Sequence, residues 1–249
     1  MKLNKQSITY TIIYISVIIV IVGTALAFTY MSLKDRQQEN ADADKMKQIL
    51  ASVHITAPEG KVVEEYERYI TKSYIVNTSG DIIPGDAFDV DVAAQSKITE
   101  PARRQLPVYE CDLGKRGKKY ILPAYGAGLW GPIWGYIAID ADGSTVFGAY
   151  FSHQGETPGL GALIEEPQFS GQFDNKHMFV DSTFIPVTVV KKGQKPKGKG
   201  EYVNAVSGGT ITSKGVASML DNCLAPYEAF LRKVAEANGT KQDSSKNKK

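Results

Sequence analysis

The run Val206-Ser207-Gly208-Gly209-Thr210-Ile211-Thr212-Ser213 places two glycines between hydroxyl side chains, just ahead of an apolar stripe at helical spacing. Glycine permits positive φ and a close approach by another molecule. Successive backbone N–H groups in such a turn form a nest for an anion. A helix capped by Thr212 or Ser213 would aim its positive end at the same point. A phosphate joined to the Thr210 hydroxyl would then meet donors and a favourable dipole. The same residues also describe an ordinary capped turn, and local spacing does not choose between the two. A P-loop is excluded: Ser213, not glycine, precedes Lys214, and no Gly-x4-Gly-Lys-Ser/Thr run exists.

Two other segments have the composition of a ligand site. Residues 152–162 follow a β-rich run and contain Glu156-Thr157-Pro158-Gly159-Leu160-Gly161. Pro158 and the glycines impose an irregular backbone. Glu156 and Thr157 offer polar groups and Leu160 an apolar one, a mixture that suits a heteroaromatic ligand with a hydrogen-bonding edge. Residues 126–136 hold Gly128, Leu129, Trp130 and Trp134 among further glycines. An indole beside glycine covers a flat ring or serves as core, and the sequence leaves both open.

These segments need a scaffold, and hydrophobic periodicity supplies one. Residues 74–76 and 82–83 flank Asn77-Thr78-Ser79-Gly80, and residues 137–141 and 144–150 flank Asp142-Gly143; both read as hairpins. Further strands are expected at 108–111, 119–122, 177–180, 185–191 and 202–206. Val216, Met219, Leu220, Cys223, Leu224, Tyr227, Phe230, Leu231 and Val234 keep one helical stripe, which Pro226 should kink or restart. The fold class is therefore α+β, an antiparallel sheet with packed helices. Five lysines, Lys191, Lys192, Lys195, Lys197 and Lys199, share a stretch with glycine and proline. It reads as a solvated loop or as a contact for an acidic partner or anionic headgroups.

No charge occurs from Gln6 to Leu33, a length that spans a bilayer, since about 20 apolar residues suffice. Lys2, Lys5 and Ala25-Leu26-Ala27 also fit a cleaved signal. The longer apolar run and its continuation as helix through Glu39 favour a retained anchor. Lysines and arginines flank both ends, so charge does not orient it. The expected organisation is an anchor over 1–33, a helical connector over 34–72, a domain over 73–238 and a disordered polar tail over 239–249. A formal charge of +2 gives no pull toward nucleic acid. Cys111, Cys223 and the three histidines are scattered, so neither a metal cluster nor a redox pair is expected. A Cys111–Cys223 disulfide and two buried thiols both fit.

Taken in order, the three segments resemble the FMN-binding domain of the C subunits of the sodium-translocating NADH:quinone reductases. In that family a Ser/Thr-Gly-Ala-Thr motif carries FMN as a phosphoester on its last threonine, and Ser207, Gly208, Gly209 and Thr210 match it here. The family's Glu-Thr-Pro-Gly-Leu-Gly loop matches Glu156, Thr157, Pro158, Gly159, Leu160 and Gly161. Its Gly-Leu-Trp matches Gly128, Leu129 and Trp130. The resemblance covers nearly the whole chain except the tail. It implies covalent FMN on Thr210, with these residues and Thr212 around the cofactor, Thr157 in polar contact, and Leu160 and Trp130 packing. It further implies an electron relay within a six-subunit inner-membrane complex that oxidises NADH, reduces quinone and exports sodium. One membrane pass would leave the domain in the periplasm, where a flavin transferase attaches the FMN. This chain departs at Gly209, where the family usually has Ala, and at Asn204, where it often has Asp; both positions bear on recognition by the transferase. The homologous FMN subunit of Rnf-type ferredoxin:NAD+ complexes shares the threonine motif and is the nearest alternative. A cofactor-free, membrane-anchored binding domain is the alternative from another class.

Overall fold

Alternation along four central strands builds the molecule. In the computed structural model, residues 7–246 are described, with side chains through residue 238. The basic pair Lys2 and Lys5 lies outside the described residues. Two compact units divide the chain, Met1–Lys45 and Met46–Lys249, so the connector expected over 34–72 straddles that division.

In the first unit the helix α1 (Ile8–Ala51) starts at Ile8 and continues past Lys45. Among the described residues its apolar turns are exposed, and the helix is long and apolar enough to cross a membrane. Exposed Ile, Val and Phe side chains on every face are what lipid, not water, would solvate.

The second unit is organised by a six-stranded antiparallel sheet in the order β2-β1-β3-β4-β5-β6. Its strands are β1 (Ile70–Val76), β2 (Ile82–Ile83), β3 (Leu106–Asp112), β4 (Lys118–Ala127), β5 (Pro132–Asp140) and β6 (Val146–His153). Successive residues point to opposite faces. Val108, Tyr120, Leu122, Ile137 and Ile139 pack into one core, and Tyr109, Cys111, Ile121, Tyr136 and Ala138 into a second. Both faces are thus buried. The two cysteines lie in different cores, on opposite sides of the sheet, which excludes the disulfide and leaves two buried thiols.

Helices α5 (Thr210–Leu224) and α6 (Glu228–Lys246) cover the first face, broken at Pro226 by a 3-10 turn over Ala225–Tyr227. The helix runs to Lys246, into the segment expected as tail; its Lys, Gln and Asp residues are compatible with helix. The last turn of α1 covers the second face, where Ile49 and Val53 are buried and the Trp134 indole N–H donates to Gln48 Oε1 at 2.8 Å. Trp134 is therefore core. Short helices α2 (Val62–Tyr69), α3 (Val92–Ser96) and α4 (Pro167–Ser170) complete the packing.

Both expected hairpins form. The strands expected over 119–122 and 137–141 are segments of one longer hairpin, paired from Lys119–Asp140 to Ala127–Pro132. The tip of this hairpin is Gly128–Gly131, closed by the Gly128 N–H on the Gly131 carbonyl at 2.8 Å. The strand expected over 108–111 is β3, longer at both ends, whereas those expected over 177–180, 185–191 and 202–206 are shorter and leave the main sheet. β7 (Phe179–Val180) and β8 (Thr183–Phe184) form a small antiparallel pair. β9 (Thr188–Val190) and β10 (Tyr202–Asn204) pair in parallel. The lysine-bearing segment is the connection that this parallel pairing requires, and β10 delivers the chain to α5.

Candidate functional site

Three segments far apart in the chain meet at one buried carboxylate. Glu156, 4% exposed, lies in the loop that leaves β6. Its Oε1 accepts from the Trp130 backbone N–H at 2.9 Å, and its Oε2 accepts from the Thr212 hydroxyl at 2.5 Å. The first contact fastens the β4–β5 tip, the second the opening turn of α5. Burial alone would raise the pKa of this carboxyl. The Thr212 hydroxyl, the backbone N–H groups of Trp130 and Leu129, and nearby His153 outweigh it and hold the group below the usual glutamate value. Glu156 is thus ionised and committed to protein donors rather than offered to a ligand.

The loop is itself pinned. His153 Nδ1 accepts from the Glu156 N–H at 3.1 Å, and Glu165 accepts from the Ser152 hydroxyl at 2.5 Å. Leu160 and Ala162 N–H groups both donate to the Thr157 carbonyl. Gly161 is required by close approach: a Cβ there would stand 2.3 Å from Glu156 Oε2 and 2.5 Å from Thr212 Oγ1. Gly208 is required twice, by φ of +72° and by a Cβ position 2.3 Å from Leu160 Cδ2. Gly128 lies against Glu156 Oε1, and buried Gly209 lies against Val206 and the backbone of Leu160 and Gly161. Of the residues singled out from sequence, Gly128, Glu156, Gly161, Gly208, Gly209 and Thr212 are therefore the joint itself.

The others face outward. Thr157, Pro158, Gly159, Ser207 and Thr210 are exposed. So are Leu129, Trp130 (69%), Leu160 (45%) and Ile211, apolar side chains carried by the segments that Glu156 ties together. Large apolar groups left in water beside a rigid joint are what a flat ring would cover.

Neither Thr212 nor Ser213 caps α5, contrary to the sequence expectation. The helix begins earlier, at Thr210, with Gly209 in the cap position and no side-chain cap. Both hydroxyls are used elsewhere: Thr212 on Glu156, and Ser213 Oγ accepting from the Val206 N–H at 3.1 Å. The first-turn N–H groups are consequently left open beside the Thr210 hydroxyl, and such a helix start favours an anion. Asn204 is held by Gln172, whose Oε1 accepts from its backbone N–H at 2.9 Å. His153, Glu165 and Gln172 are positioning residues that the sequence does not single out. Only His153 carries a signal, as a member of the glycine-rich segment.

Known proteins resemble this chain over most of its length. The model of the FMN-binding domain family matches residues 128–225, which run from the β4–β5 tip to the end of α5. The C subunit of the Na+-translocating NADH-quinone reductase from Vibrio anguillarum is 32% identical over 253 residues, covering 95% of this chain and 98% of the relative. Its counterpart from Vibrio vulnificus (strain YJ016) is 34% identical over 235 residues, covering 87% and 90%. Among solved structures, the C subunit from Parabacteroides distasonis superposes with a TM-score of 0.74 at 44% identity, covering 80% of this chain and 96% of its own. The Shewanella oneidensis NqrC structure, at 23% identity and a TM-score of 0.65, shares the fold over 78% of this chain and 98% of its own.

Proposed function

The chain belongs to the family of C subunits of the Na+-translocating NADH-quinone reductases, and from that premise we propose that it carries FMN covalently, as a phosphoester on Thr210. The observation that carries this reading is the Glu156 joint, which fixes an uncapped helix N-terminus beside an exposed threonine hydroxyl. The residues present fit the group: an open anion site at Thr210 and exposed Trp130 and Leu160 for a ring. Bound FMN would supply one-electron redox chemistry. Thr210 would hold it through its hydroxyl oxygen, which loses its proton as it bonds to the phosphorus of an activated FMN ester on a flavin transferase, while the bond from that phosphorus to the ester's other group breaks and that group leaves. Trp130 and Leu160 would shield the ring from water, and Thr157 would offer it a polar contact. The tether keeps the cofactor at high local concentration whatever its charge.

The chain's own role is then electron relay between neighbouring redox centres, in a six-subunit membrane complex that oxidises NADH, reduces quinone and exports sodium. Helix α1 anchors it in a bacterial inner membrane with the flavin domain in the periplasm, and α1 is retained rather than cleaved. In-gel flavin fluorescence tests the attachment after denaturation of full chain co-expressed with a flavin transferase. Wild type and Thr210→Ser should fluoresce and Thr210→Ala should be dark. A fluorescent band in Thr210→Ala overturns the assignment.

A further inference from the structure

β10 and β9 form a two-stranded sheet, which leaves β10 with an open edge. The Ala205 N–H donates to the Val190 carbonyl at 2.7 Å, so alternation turns the N–H and carbonyl of Asn204 to that edge. The Gln172 side chain fills it. Gln172 Oε1 accepts from the Asn204 N–H at 2.9 Å and from Asn204 Nδ2 at 3.3 Å, and Gln172 Nε2 donates to the Asn204 carbonyl at 3.4 Å. A side-chain amide thus pairs with one residue of main chain as a neighbouring strand would. The pairing also fixes which way the amide faces, since reversing it would set Nε2 against two donors. Its footing is firm: Gln172 lies in the 3-10 turn Gly171–Phe173, and the buried Phe173 ring packs on those of Phe151 and Phe169 at 5.0 and 5.7 Å. Two residues beyond Asn204, the Val206 N–H is taken by Ser213 of α5. Exposed Ser207 and Gly208 are therefore strung between a clamp on β10 and a clamp on α5, just ahead of Thr210.

Resting on the reading of Thr210 as the attachment point, we propose that Gln172 sets the geometry of the turn before Thr210 for modification, and that it does so through the main chain of residue 204. A charge at 204 is then unnecessary in this chain. The Gln172 oxygen already has a donor in the Asn204 side chain, whereas a carboxylate there would meet that oxygen with no proton to share. Gln172 is a positioning residue, and no proton passes through it in the transfer. Because Asn204 is exposed, water takes up its main-chain groups when Gln172 is removed. The fold then survives while the turn loses its alignment.

The test follows attachment on the full chain in detergent micelles, with purified flavin transferase and FAD as the activated FMN ester. Covalent flavin is read in denaturing gels against time and chain concentration, which separates kcat from KM, and thermal unfolding is measured alongside. Gln172→Leu should lower kcat about tenfold or more, as a misplaced nucleophile does, with KM and the melting temperature close to wild type. Gln172→Glu keeps the acceptor oxygen and should retain most of the rate. Asn204→Ala keeps the main-chain pair and should be modified nearly as fast as wild type, whereas Asn204→Asp should be slower. A transferase that reads the side chain of residue 204 gives the reverse: Asn204→Ala slow, Asn204→Asp faster, Gln172→Leu near wild type. Any of these three overturns the proposal. So does Gln172→Glu no faster than Gln172→Leu, or a loss in Gln172→Leu that lies in KM or is matched by a fall in melting temperature. Wild type separates the two layers. A dark wild type, or a fluorescent Thr210→Ala, fells the attachment reading and the clamp's role with it, whereas a fluorescent wild type beside an unimpaired Gln172→Leu fells the clamp alone.

Discussion

The loop after β6 and the loop after β9 both lie against the first turn of α5 and both contain glycine and proline, yet they treat charge in opposite ways. The first buries a carboxylate and surrounds it with donors from two other segments, the β4–β5 tip and the first turn of α5. The second keeps its ammonium groups exposed, with Lys191 and Lys192 on the rim of a cleft. A buried charge is costly to disturb, because its partners are left unsatisfied when it goes. Exposed lysines cost the fold almost nothing and stay available to a ligand. The comparison separates what holds the site from what the site can hold.

The difference is sharpest in stability. Glu156→Ala should lower unfolding free energy by about 3 kcal/mol, since it strands buried donors and opens a gap, measured by thermal or urea unfolding followed by tryptophan fluorescence. Gly161→Ala should cost about 1–3 kcal/mol, because its Cβ overlaps both Glu156 and Thr212 and the loop must move. The pH dependence of Glu156→Gln then tests the charge itself. The carboxyl has a folded pKa below its unfolded value, so its contribution is present above the unfolded pKa and is lost as pH falls through the folded one. The stability deficit of Glu156→Gln should therefore be largest near neutrality and shrink below about pH 4. A deficit that grows on acidification would show that burial, not hydrogen bonding, governs this group. Smallest of all, Lys191→Gln and Lys192→Gln should each change stability by no more than about 0.5 kcal/mol. Lysine variants as damaging as Glu156→Ala would dissolve the contrast between the loops.

The same contrast explains what can be read in advance. Asp142-Gly143, the Asn77–Gly80 turn and the Pro226 break are local signals, and the structure places hairpins and a helix break at all three. The β4–β5 hairpin is longer than its β-rich residues suggest. Gly126 and Gly135 hide it from propensity, but Met219 packs over the first and Phe151 and the Tyr150 carbonyl over the second. The site is legible as three segments but not as a joint. Nothing in the spacing of Trp130, Glu156 and Thr212 tells that they share hydrogen bonds, and the Thr212 hydroxyl turns inward only because Glu156 is there. The start of α5 departs from its expected place for that reason. The parallel β9–β10 pair is equally hidden, since its register depends on a crossover. Only that pairing brings Lys191 and Lys192 to Thr210.

Trp130 and Thr212 lie 26 and 56 residues from Glu156 along the chain. Contacts of such separation form late, after the intervening loops have closed. A nascent or half-folded chain thus holds Thr210 in a segment without defined geometry. Attachment to this residue would work as an inspection stamp, given only to molecules whose sheet, loop and helix have already come together. Counted over a population, bound flavin would then report how many molecules had finished folding when the modifying enzyme met them.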